Sequence, residues 1–507
     1  MIQKDKNYNE LLLQESEHGG IDMRDRIKYN VLNEAELDLF KNRLHQLLSK
    51  RGIILEHKAL REELEQAGCI VKRKHVYFPE EVIEKALATV PGHFTLYAPD
   101  ESYNMEFPNP EGRFYTRTCT GGMNYLPVKG EKHLVNFADV REWYHLTNQL
   151  EQIDFVALPS TCEEGVPAEA IDVYTLEQAL LYSKKHIWIQ PYEGANVKHL
   201  IRMCQEVAGG AKELQEKPFV SFISCSVPVL KFKDMDAEII YQCGKAGIPV
   251  QPCALPTAGA NTPVTAQGTA LAACADVLAQ IVMLQILCPG LPVIATTLLF
   301  SLDMKTTATL QSNTEITFGR LICMQVFEQG YGIPCHSYGT GSDSLMVDDG
   351  QNYIERSSLI HSMAMSDASV LGGAGQLETA LTISPLQLII DNEIFAIAKR
   401  LRRGLAIDDE TLDFEELLAG KDKSGYLMSD HTMNHFREMH RSDLFYKGTV
   451  EGQDDGSQSL MERTLAAYHK MMQKPQEIVL DSQMQKRIHQ IAEEAADALI
   501  GGKVTEA

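Results

Sequence analysis

Five residues whose side chains can do chemistry lie close together between positions 331 and 395. They are His336, Tyr338, Asp343, Gln351 and Glu378. The surrounding pattern of apolar runs, polar loops and glycine turns indicates strand, loop, helix, strand, turn and strand, with these residues at or just after strand ends. Barrel enzymes keep their active sites at the carboxyl ends of their strands, so the spacing predicts one shared site.

The polar residues of this set have functional and structural interpretations. His336 is predicted as a catalytic base, with a metal ligand or a structural histidine as the alternatives. Glu378 is the second predicted catalytic residue, because a buried carboxylate needs a partner and a substrate ammonium would be one. Asp343, Gln251 and Gln351 are predicted to bind substrate, although Asp343 could equally fold its own loop through an Asx turn.

Four aromatic residues follow or lie within predicted strands. They are Phe222, Tyr192, Phe300 and Tyr338. Two or three of them facing a cavity would suit a methylated cation, which offers no N–H and binds aromatic faces by cation–π attraction. Core packing is the alternative for each ring taken singly.

The run Gly372-Gly373-Ala374-Gly375 follows a predicted strand at Ser369 to Leu371. The lack of side chains lets a ligand or a partner's backbone approach closely, so Gly372, Gly373 and Gly375 are predicted as cofactor-binding residues in an exposed turn. A tight turn between strand and helix is the alternative.

The elements repeat from residue 150 as a short apolar strand, a polar turn and a longer helical segment. Eight strands are predicted: Phe155 to Leu158, Ile187 to Gln190, Phe219 to Ser224, Pro249 to Cys253, Pro292 to Thr297, Pro334 to Tyr338, Ser369 to Leu371 and Leu381 to Leu388. This number closes an α/β fold of the (β/α)8 TIM barrel type, and an open doubly wound sheet is the alternative. No GxGxxG or GxxxxGK[ST] motif supports nucleotide binding.

Three domains are expected: a helical lead-in with small β elements over 1–149, the barrel over 150–400 and a C-terminal helical cap over 401–507. In the lead-in, Asn33 and Glu36 form the pattern of a capping box that starts a helix. A second helix is predicted from His57 to Ala67, and a third after Pro79.

Composition excludes several classes of partner. The 47 basic and 69 acidic residues give a net charge of −22, which disfavours nucleic acid or an anionic membrane. The eleven cysteines include no CxxC pair, which indicates reduced thiols. The first twenty residues lack an apolar signal core. We therefore expect a cytoplasmic protein that does not cross a membrane.

Several ordered blocks of the sequence resemble one enzyme family. They include VPGHFTLYAPD, the TGG turn at Thr120, GTGSDSLMVDDGQNYIE, GGAGQLETALTISPLQLIIDNEI and the late pair His431-Thr432. Over about residues 30 to 475 the chain resembles the trimethylamine methyltransferase superfamily, in its branch without pyrrolysine, which includes glycine betaine methyltransferases.

The resemblance implies a TIM barrel that passes a methyl group from a methylated amine to the Co(I) form of cobalamin held by a separate corrinoid protein. The trimethylamine enzymes carry pyrrolysine in the loop similar to Ser342 to Gln351, where this chain has ordinary residues. That difference points to quaternary amines of the glycine betaine, proline betaine, carnitine or butyrobetaine type. We expect no stoichiometric metal, and we expect the protein to form a homo-oligomer.

The chemistry agrees with a quaternary substrate, because such an amine leaves as a neutral tertiary amine and needs no proton from an acid. Positioning and electrostatics then suffice for catalysis. Two other classes stay open: a metal-dependent barrel lyase or hydrolase that uses His336, Asp343 and Glu378, and a non-catalytic partner of corrinoid proteins.

Overall fold

Eight parallel strands close into a barrel at the centre of the molecule. The computed structural model describes residues 29–226, 229–420, 425–447 and 458–504. The barrel strands in chain order are β1 (Tyr115–Thr118), β2 (Phe155–Ala157), β3 (His186–Ile189), β4 (Val220–Ser226), β5 (Val250–Ala254), β6 (Ala295–Thr297), β7 (Cys335–Tyr338) and β8 (Val370–Ala374). Each strand pairs in parallel with its neighbours, and β8 pairs with β1 to close the sheet.

A helix follows every barrel strand. These helices are α1 (Phe137–Thr147), α2 (Ile171–Tyr182), α3 (Val197–Ala208), α4 (Asp234–Ala246), α5 (Ala266–Leu287), α6 (Thr314–Gln325), α7 (Gly350–Ala364) and α8 (Pro385–Arg403). Because helices cover the outer face and side chains fill the inner one, the strands are buried on both sides, as the apolar runs predict. The predicted (β/α)8 fold is confirmed.

One predicted strand is wrong, and one barrel strand comes from an unexpected place. The segment Leu381 to Leu388 contains only the two-residue strand Thr382–Ile383 before α8 begins at Pro385. Proline fits the first turn of a helix because its missing N–H needs no partner there. The barrel is closed instead by β1, which lies in the segment predicted as the lead-in.

The N-terminal region before β1 folds as predicted at its helices. The helix Glu34–Gln46 starts at a capping box between Asn33 and Glu36, and the helices Lys58–Gln66 and Glu80–Leu87 follow. A small four-stranded sheet combines three strands that precede β1 with one strand that follows β4. Their order is Lys231–Phe232, Ile53–Leu55, His75–Tyr77 and Ile70–Lys72. A two-stranded sheet, Phe94–Leu96 with Met105–Phe107, precedes β1.

The C-terminal region is helical, as predicted. Its helices are Asp409–Leu412, Phe414–Ala419, Asp430–His435, Leu460–Met472 and Ser482–Val504. Leu460–Met472 packs against α1 and α8, and Ser482–Val504 packs against α2 and α3. The His489 ring lies 2.8 Å from a carboxylate oxygen of Glu177 on α2. These two helices therefore add a further layer outside the barrel's own helices.

Two small sheets lie in the segments that leave the carboxyl ends of the barrel strands. One contains Thr257–Ala258, Phe300–Leu302 and Thr309–Leu310, which follow β5 and β6. The other contains Asn124–Tyr125, His133–Leu134, Gln376–Leu377 and Thr382–Ile383, which follow β1 and β8. Both sheets therefore border the end of the barrel where active sites form.

The α5 helix, Ala266–Leu287, is the one described helix whose length and apolar composition would allow it to cross a membrane. In the fold, 83% of its most apolar window is buried against other parts of the chain. That burial is typical of the core helix of a soluble protein.

Candidate active site

Arg117, Trp188 and His336 meet in the interior of the barrel. Arg117 Nε donates to His336 Nε2 at 2.8 Å, and its guanidinium carbon lies 4.1 Å from the centre of the Trp188 ring. The His336 and Trp188 rings make an edge contact at 5.4 Å. Since these residues come from β1, β3 and β7, on different sides of the barrel, their side chains can meet only inside it.

His336 is held in one neutral form. Burial lowers the pKa of His336 well below its usual range, and the Arg117 guanidinium lowers it further. Because Nε2 accepts from Arg117, the ring proton is on Nδ1, which faces the Thr296 hydroxyl at 3.4 Å. His336 therefore orients Arg117 and holds no proton that it could donate from Nε2.

A second polar group lies inside the barrel around Gln251. Gln251 Nε2 donates to the Ser221 hydroxyl at 3.1 Å, and that hydroxyl lies 2.9 Å from His186 Nε2. His186 Nδ1 lies 2.7 Å from the Tyr97 carbonyl, and burial lowers the pKa of His186 to about 4. The neutral ring therefore donates from Nδ1 and accepts from Ser221. The carbonyl oxygen of Gln251 is buried without a described partner.

Tyr338 lies two residues after His336, nearer the carboxyl end of β7. Its ring makes an edge contact with Phe300 at 5.7 Å, and the Arg320 guanidinium lies 5.5 Å from its centre. Burial raises the pKa of Tyr338 far above its usual range, so the phenol keeps its proton. This part of the site combines two aromatic rings with a buried cation.

The three predicted cofactor glycines are buried, not exposed. A Cβ at Gly372 would lie 2.7 Å from the guanidinium carbon of Arg117, and one at Gly373 would strike the Thr340 carbonyl. At Gly375 the Trp143 ring occupies the space. The expectation of an exposed turn is therefore wrong, because the chain's own groups fill the space beside each glycine. A role for these residues with the corrinoid stays a prediction.

Two predicted polar residues, Asp343 and Gln351, have partners outside the barrel interior. Asp343 accepts from the Gln311 and Ser312 amides at 2.8 and 3.0 Å, so it joins two loops. Gln351 lies exposed on α7 and donates to Glu355, the residue four positions later. These contacts are structural and do not place either side chain against Arg117 or His336.

Glu378 forms an ion pair in the segment that follows β8, so it is not an unpaired buried carboxylate. Lys132 Nζ lies 2.8 Å from its carboxylate, and the Thr382 hydroxyl donates to it as well. Partial burial acts to raise the pKa of Glu378, but the hydrogen bonds from Lys132 and Thr382 bring it below the usual range. The carboxylate is therefore ionised and already compensated by a lysine.

The two remaining aromatic residues predicted to bind substrate, Phe222 and Tyr192, lie on different faces of the fold. Phe222 pairs with Ile189 and Val250, and it lies between Ser221 and Ile223 on β4, so its side chain points to the opposite side from interior Ser221. It packs between the sheet and its helices. Tyr192 follows β3, where its hydroxyl bonds Ser160 and 41% of the residue is exposed.

Comparison with known proteins gives the family. The family model of trimethylamine methyltransferase (MTTB) matches residues 11–497. The chain belongs to the trimethylamine methyltransferase family. This assigns it to a family of methyltransferases and confirms both the family and the enzyme class predicted from the sequence.

The relatives of this family member include enzymes with different named substrates. The chain is 28% identical to trimethylamine methyltransferase MttB of Methanosarcina thermophila, over 77% of this chain and 83% of that protein. It is 24% identical to MttB of Desulfitobacterium hafniense, over 92% and 94% of the two chains. It is also 24% identical to a glycine betaine methyltransferase of the same species, over 82% and 87%.

A solved structure is similar at lower identity. It is the monomethylamine methyltransferase MtmB of Methanosarcina barkeri, with 9% identity, a TM-score of 0.43 and coverage of 91% of this chain and 92% of that one.

In this member of the trimethylamine methyltransferase family, only some of the residues predicted to form the site lie close together. His336, Tyr338, Phe300 and Gln251 lie in or beside the barrel interior, whereas Glu378, Gln351 and Phe222 lie elsewhere. Asp343 and Glu378, the carboxylates that the lyase or hydrolase alternative would use with His336, are held by other partners.

Sequence reasoning missed the arginines of the site. Arg117 and Arg320 are fully buried, and each has at least one guanidinium nitrogen without a described partner. The signal was present, since an arginine in the middle of the short run Tyr115 to Thr118 is unusual for a strand. Trp188 was missed because a tryptophan in an apolar run is typical of core.

Proposed function

We propose that this protein transfers a methyl group from a quaternary amine of the betaine type to the Co(I) corrinoid of a separate corrinoid protein. Family membership supports the methyl transfer, and the glycine betaine methyltransferase among the relatives supports the substrate class. The ordinary residues of the loop Ser342 to Gln351, where trimethylamine enzymes carry pyrrolysine, argue against trimethylamine.

The observation that carries the proposal is that the interior groups of the site are poor proton donors. His336 is neutral and accepts at Nε2, and Tyr338 has a raised pKa. A quaternary amine suits such a site, because the electron pair of its broken C–N bond stays on nitrogen and gives a neutral tertiary amine. The Co(I) centre of the partner supplies the electron pair for the new bond to the methyl carbon.

The edge-packed rings of Tyr338 and Phe300 support a methylated cation as the donor. Their centres are 5.7 Å apart, close enough to face one trimethylammonium group. Each well-placed ring contributes about 0.5 to 2 kcal/mol of attraction to such a cation. Methyl groups held against these rings would lie towards the barrel end where a partner can approach.

Exposed apolar side chains around that end support docking of the corrinoid protein there. They share a position in segments that leave the carboxyl ends of barrel strands, and we call them the rim residues: Met123, Leu134, Val264, Met304, Leu345, Met346 and Leu381. Met304, Leu345 and Met346 are 68%, 63% and 60% exposed. Apolar side chains grouped on a surface are typical of protein interaction sites.

A cytoplasmic location is part of the same proposal, because all eleven cysteines are free thiols and a reducing compartment keeps them so. The homo-oligomer stays a prediction, which sedimentation of the purified protein would test.

The test is a screen of methyl donors. Purified enzyme with free cob(I)alamin is given glycine betaine, proline betaine, carnitine, butyrobetaine or trimethylamine, and methylcobalamin is followed by absorbance. At least one quaternary amine is expected to react, and trimethylamine is not. Turnover of trimethylamine alone contradicts the substrate class, and no turnover of any donor, with the corrinoid protein also present, favours the non-catalytic alternative.

A further inference from the structure

Arg117 has a free hydrogen-bonding edge inside the barrel. Its Nε donates to His336, and its Nη1 donates to the Thr118 carbonyl at 2.6 Å. Its Nη2 is buried and has no partner among the described residues. A buried donor without a partner costs free energy, so a ligand that accepts from Nη2 would recover it.

Among the residues that the structure describes, Arg117 also has no counter-ion. The groups that act to raise the pKa of Arg117 are the Tyr338 phenol and the thiols of Cys119 and Cys253, none of which is a carboxylate. Burial lowers the pKa of Arg117 to about 10, which still leaves the guanidinium charged at neutral pH. A buried cation without a compensating anion is expensive, and an anionic ligand supplies the compensation.

Another buried arginine in the same chain has the structural arrangement that Arg117 lacks. Arg356 binds both carboxylate oxygens of Asp391, at 2.9 and 2.8 Å, and both side chains are fully buried. In that pair a carboxylate compensates the charge of the buried guanidinium. Arg117 has the same burial without the carboxylate.

Arg320 adds to the positive charge beside Tyr338. Its Nη2 donates to the carbonyls of Leu299 and Gln311 at 2.6 and 2.7 Å, while Nε and Nη1 have no described partner. Asp343 favours its charged form, but the Asp343 oxygens accept from backbone amides and a threonine hydroxyl. The charges of Arg117 and Arg320 both act on the Tyr338 phenol, so a ligand that is only a cation would be repelled there.

The Arg117 guanidinium is held in place for binding. It packs on the Trp188 ring, its Nε is fixed by His336, and it passes so close to Gly372 that no Cβ fits there. A fixed donor loses little conformational entropy when it binds a ligand, so it binds more tightly than a mobile one.

Resting on the proposed function, we propose that Arg117 binds the carboxylate of the methyl donor, so that the site accepts zwitterionic amines and rejects cations that carry no anionic group. Arg117 contacts His336, which lies two residues before Tyr338 on β7, whereas Tyr338 and Phe300 are nearer the carboxyl end of the barrel. The donor therefore binds with its carboxylate inward and its methyl groups towards the rim, where the corrinoid must approach.

The test compares each of the four zwitterions with its methyl ester, which keeps the ammonium and removes the negative charge. Calorimetry on the full-length protein without cobalamin is expected to show at least one zwitterion binding about 100-fold more tightly than its ester, as expected for a buried charged hydrogen bond. Equal binding of ester and zwitterion, or no binding of any zwitterion, overturns the proposal.

Arg117 variants assign the effect to this residue. In Arg117→Gln the preference for zwitterion over ester is expected to disappear, and in Arg117→Lys to survive in weakened form. Thermal melting checks that each variant folds, and the comparison on the wild type decides the matter if one does not. A variant that folds and keeps the full preference contradicts the assignment.

The two proposals fail in different ways. If zwitterions bind through Arg117 but none donates a methyl group to cob(I)alamin, the proposed function falls and the carboxylate site stands. If the esters donate methyl groups as well as the zwitterions do, methyl transfer stands and the carboxylate site falls.

Discussion

Arg117 donates its Nε–H to Nε2 of His336 across the barrel interior, at 2.8 Å. The bond fixes the guanidinium and assigns the histidine proton to Nδ1, so each residue determines the state of the other. We therefore propose that His336, which the sequence predicts as a catalytic base, is a positioning residue for Arg117.

Replacing His336 is expected to weaken donor binding without removing a limb from the pH profile. In His336→Ala, Arg117 loses the acceptor for Nε, and misplacement of its guanidinium is expected to lower kcat/KM by about 100-fold. The pH dependence of kcat/KM for wild type and variant, between about pH 6 and 9, is the measurement. A wild-type limb near the usual pKa of histidine that the variant lacks would restore His336 as an acid or base.

Adding one methyl group at Gly372 is expected to disturb the same arginine. The new Cβ in Gly372→Ala would lie 2.7 Å from the Arg117 guanidinium carbon and 2.9 Å from His336 Nε2. Donor affinity should fall about tenfold or more, since the guanidinium must move. Gly92→Ala is the matched control, because no atom lies within 4 Å of its added Cβ and it lies in the region before β1. Equal effects of the two changes would refute the close approach.

Sequence predicted most of the barrel because buried parallel strands are short apolar runs, and seven of the eight strands have that form. The exception is β1, Tyr115–Thr118, which is fully buried but contains an arginine and two threonines in place of an apolar run. The apolar run of Leu381 to Leu388 predicts a strand, but such a run also suits a buried helix. In the structure a helix begins at Pro385 within this segment.

The site was harder to predict than the fold, for a physical reason. Glu378 was singled out as a carboxylate in need of a cation, but the cation is Lys132, 246 positions earlier in the chain. The contact between Arg117 and His336 spans 219 positions. Local patterns place residues on elements, whereas partners across a barrel depend on closure and register.

The rim residues give a prediction about the partner. Met346→Asp places a charge on an apolar surface and is expected to lower methyl transfer to the corrinoid protein at least tenfold, while transfer to free cob(I)alamin stays the same. Ile478→Asp is the control, because Ile478 is 49% exposed beside Leu181, at the opposite end of the barrel. Equal loss with both acceptors would argue against docking at the rim.

The Arg356–Asp391 pair is expected to be essential for stability. Asp391 also accepts from the Gly375 amide at 2.7 Å, so it joins α7, α8 and the turn after β8. Asp391→Asn leaves a buried guanidinium uncompensated, which costs about 3 to 5 kcal/mol in the free energy of unfolding. Arg202→Gln, which breaks an exposed pair with Glu494, should cost less than about 1 kcal/mol. Urea denaturation of both variants measures the difference.

Glu328 gives a prediction of pH dependence. Its carboxyl group binds the amides of Cys335 and Ser369 at 2.6 and 3.0 Å, at the start of β7 and just before β8. Burial raises the pKa of Glu328 from 4.5 to about 8. The unfolded chain therefore releases this proton at lower pH than the folded one, so this contribution to stability falls as pH rises between those values.

In Glu328→Gln that fall should be removed, and the melting temperature should decline less between pH 5 and 8 than in the wild type. If the melting temperatures of the two proteins change by the same amount over this pH range, the raised pKa of Glu328 is contradicted.

The most direct measurement of the central claim is a competition in one vessel. The enzyme, its corrinoid protein in the Co(I) state, a betaine-type zwitterion that binds in calorimetry and an equal concentration of trimethylamine are mixed, and the demethylated products are identified by mass. We expect one demethylated product of the zwitterion for each methylated corrinoid, and no dimethylamine. Formation of dimethylamine with the zwitterion unchanged would contradict it.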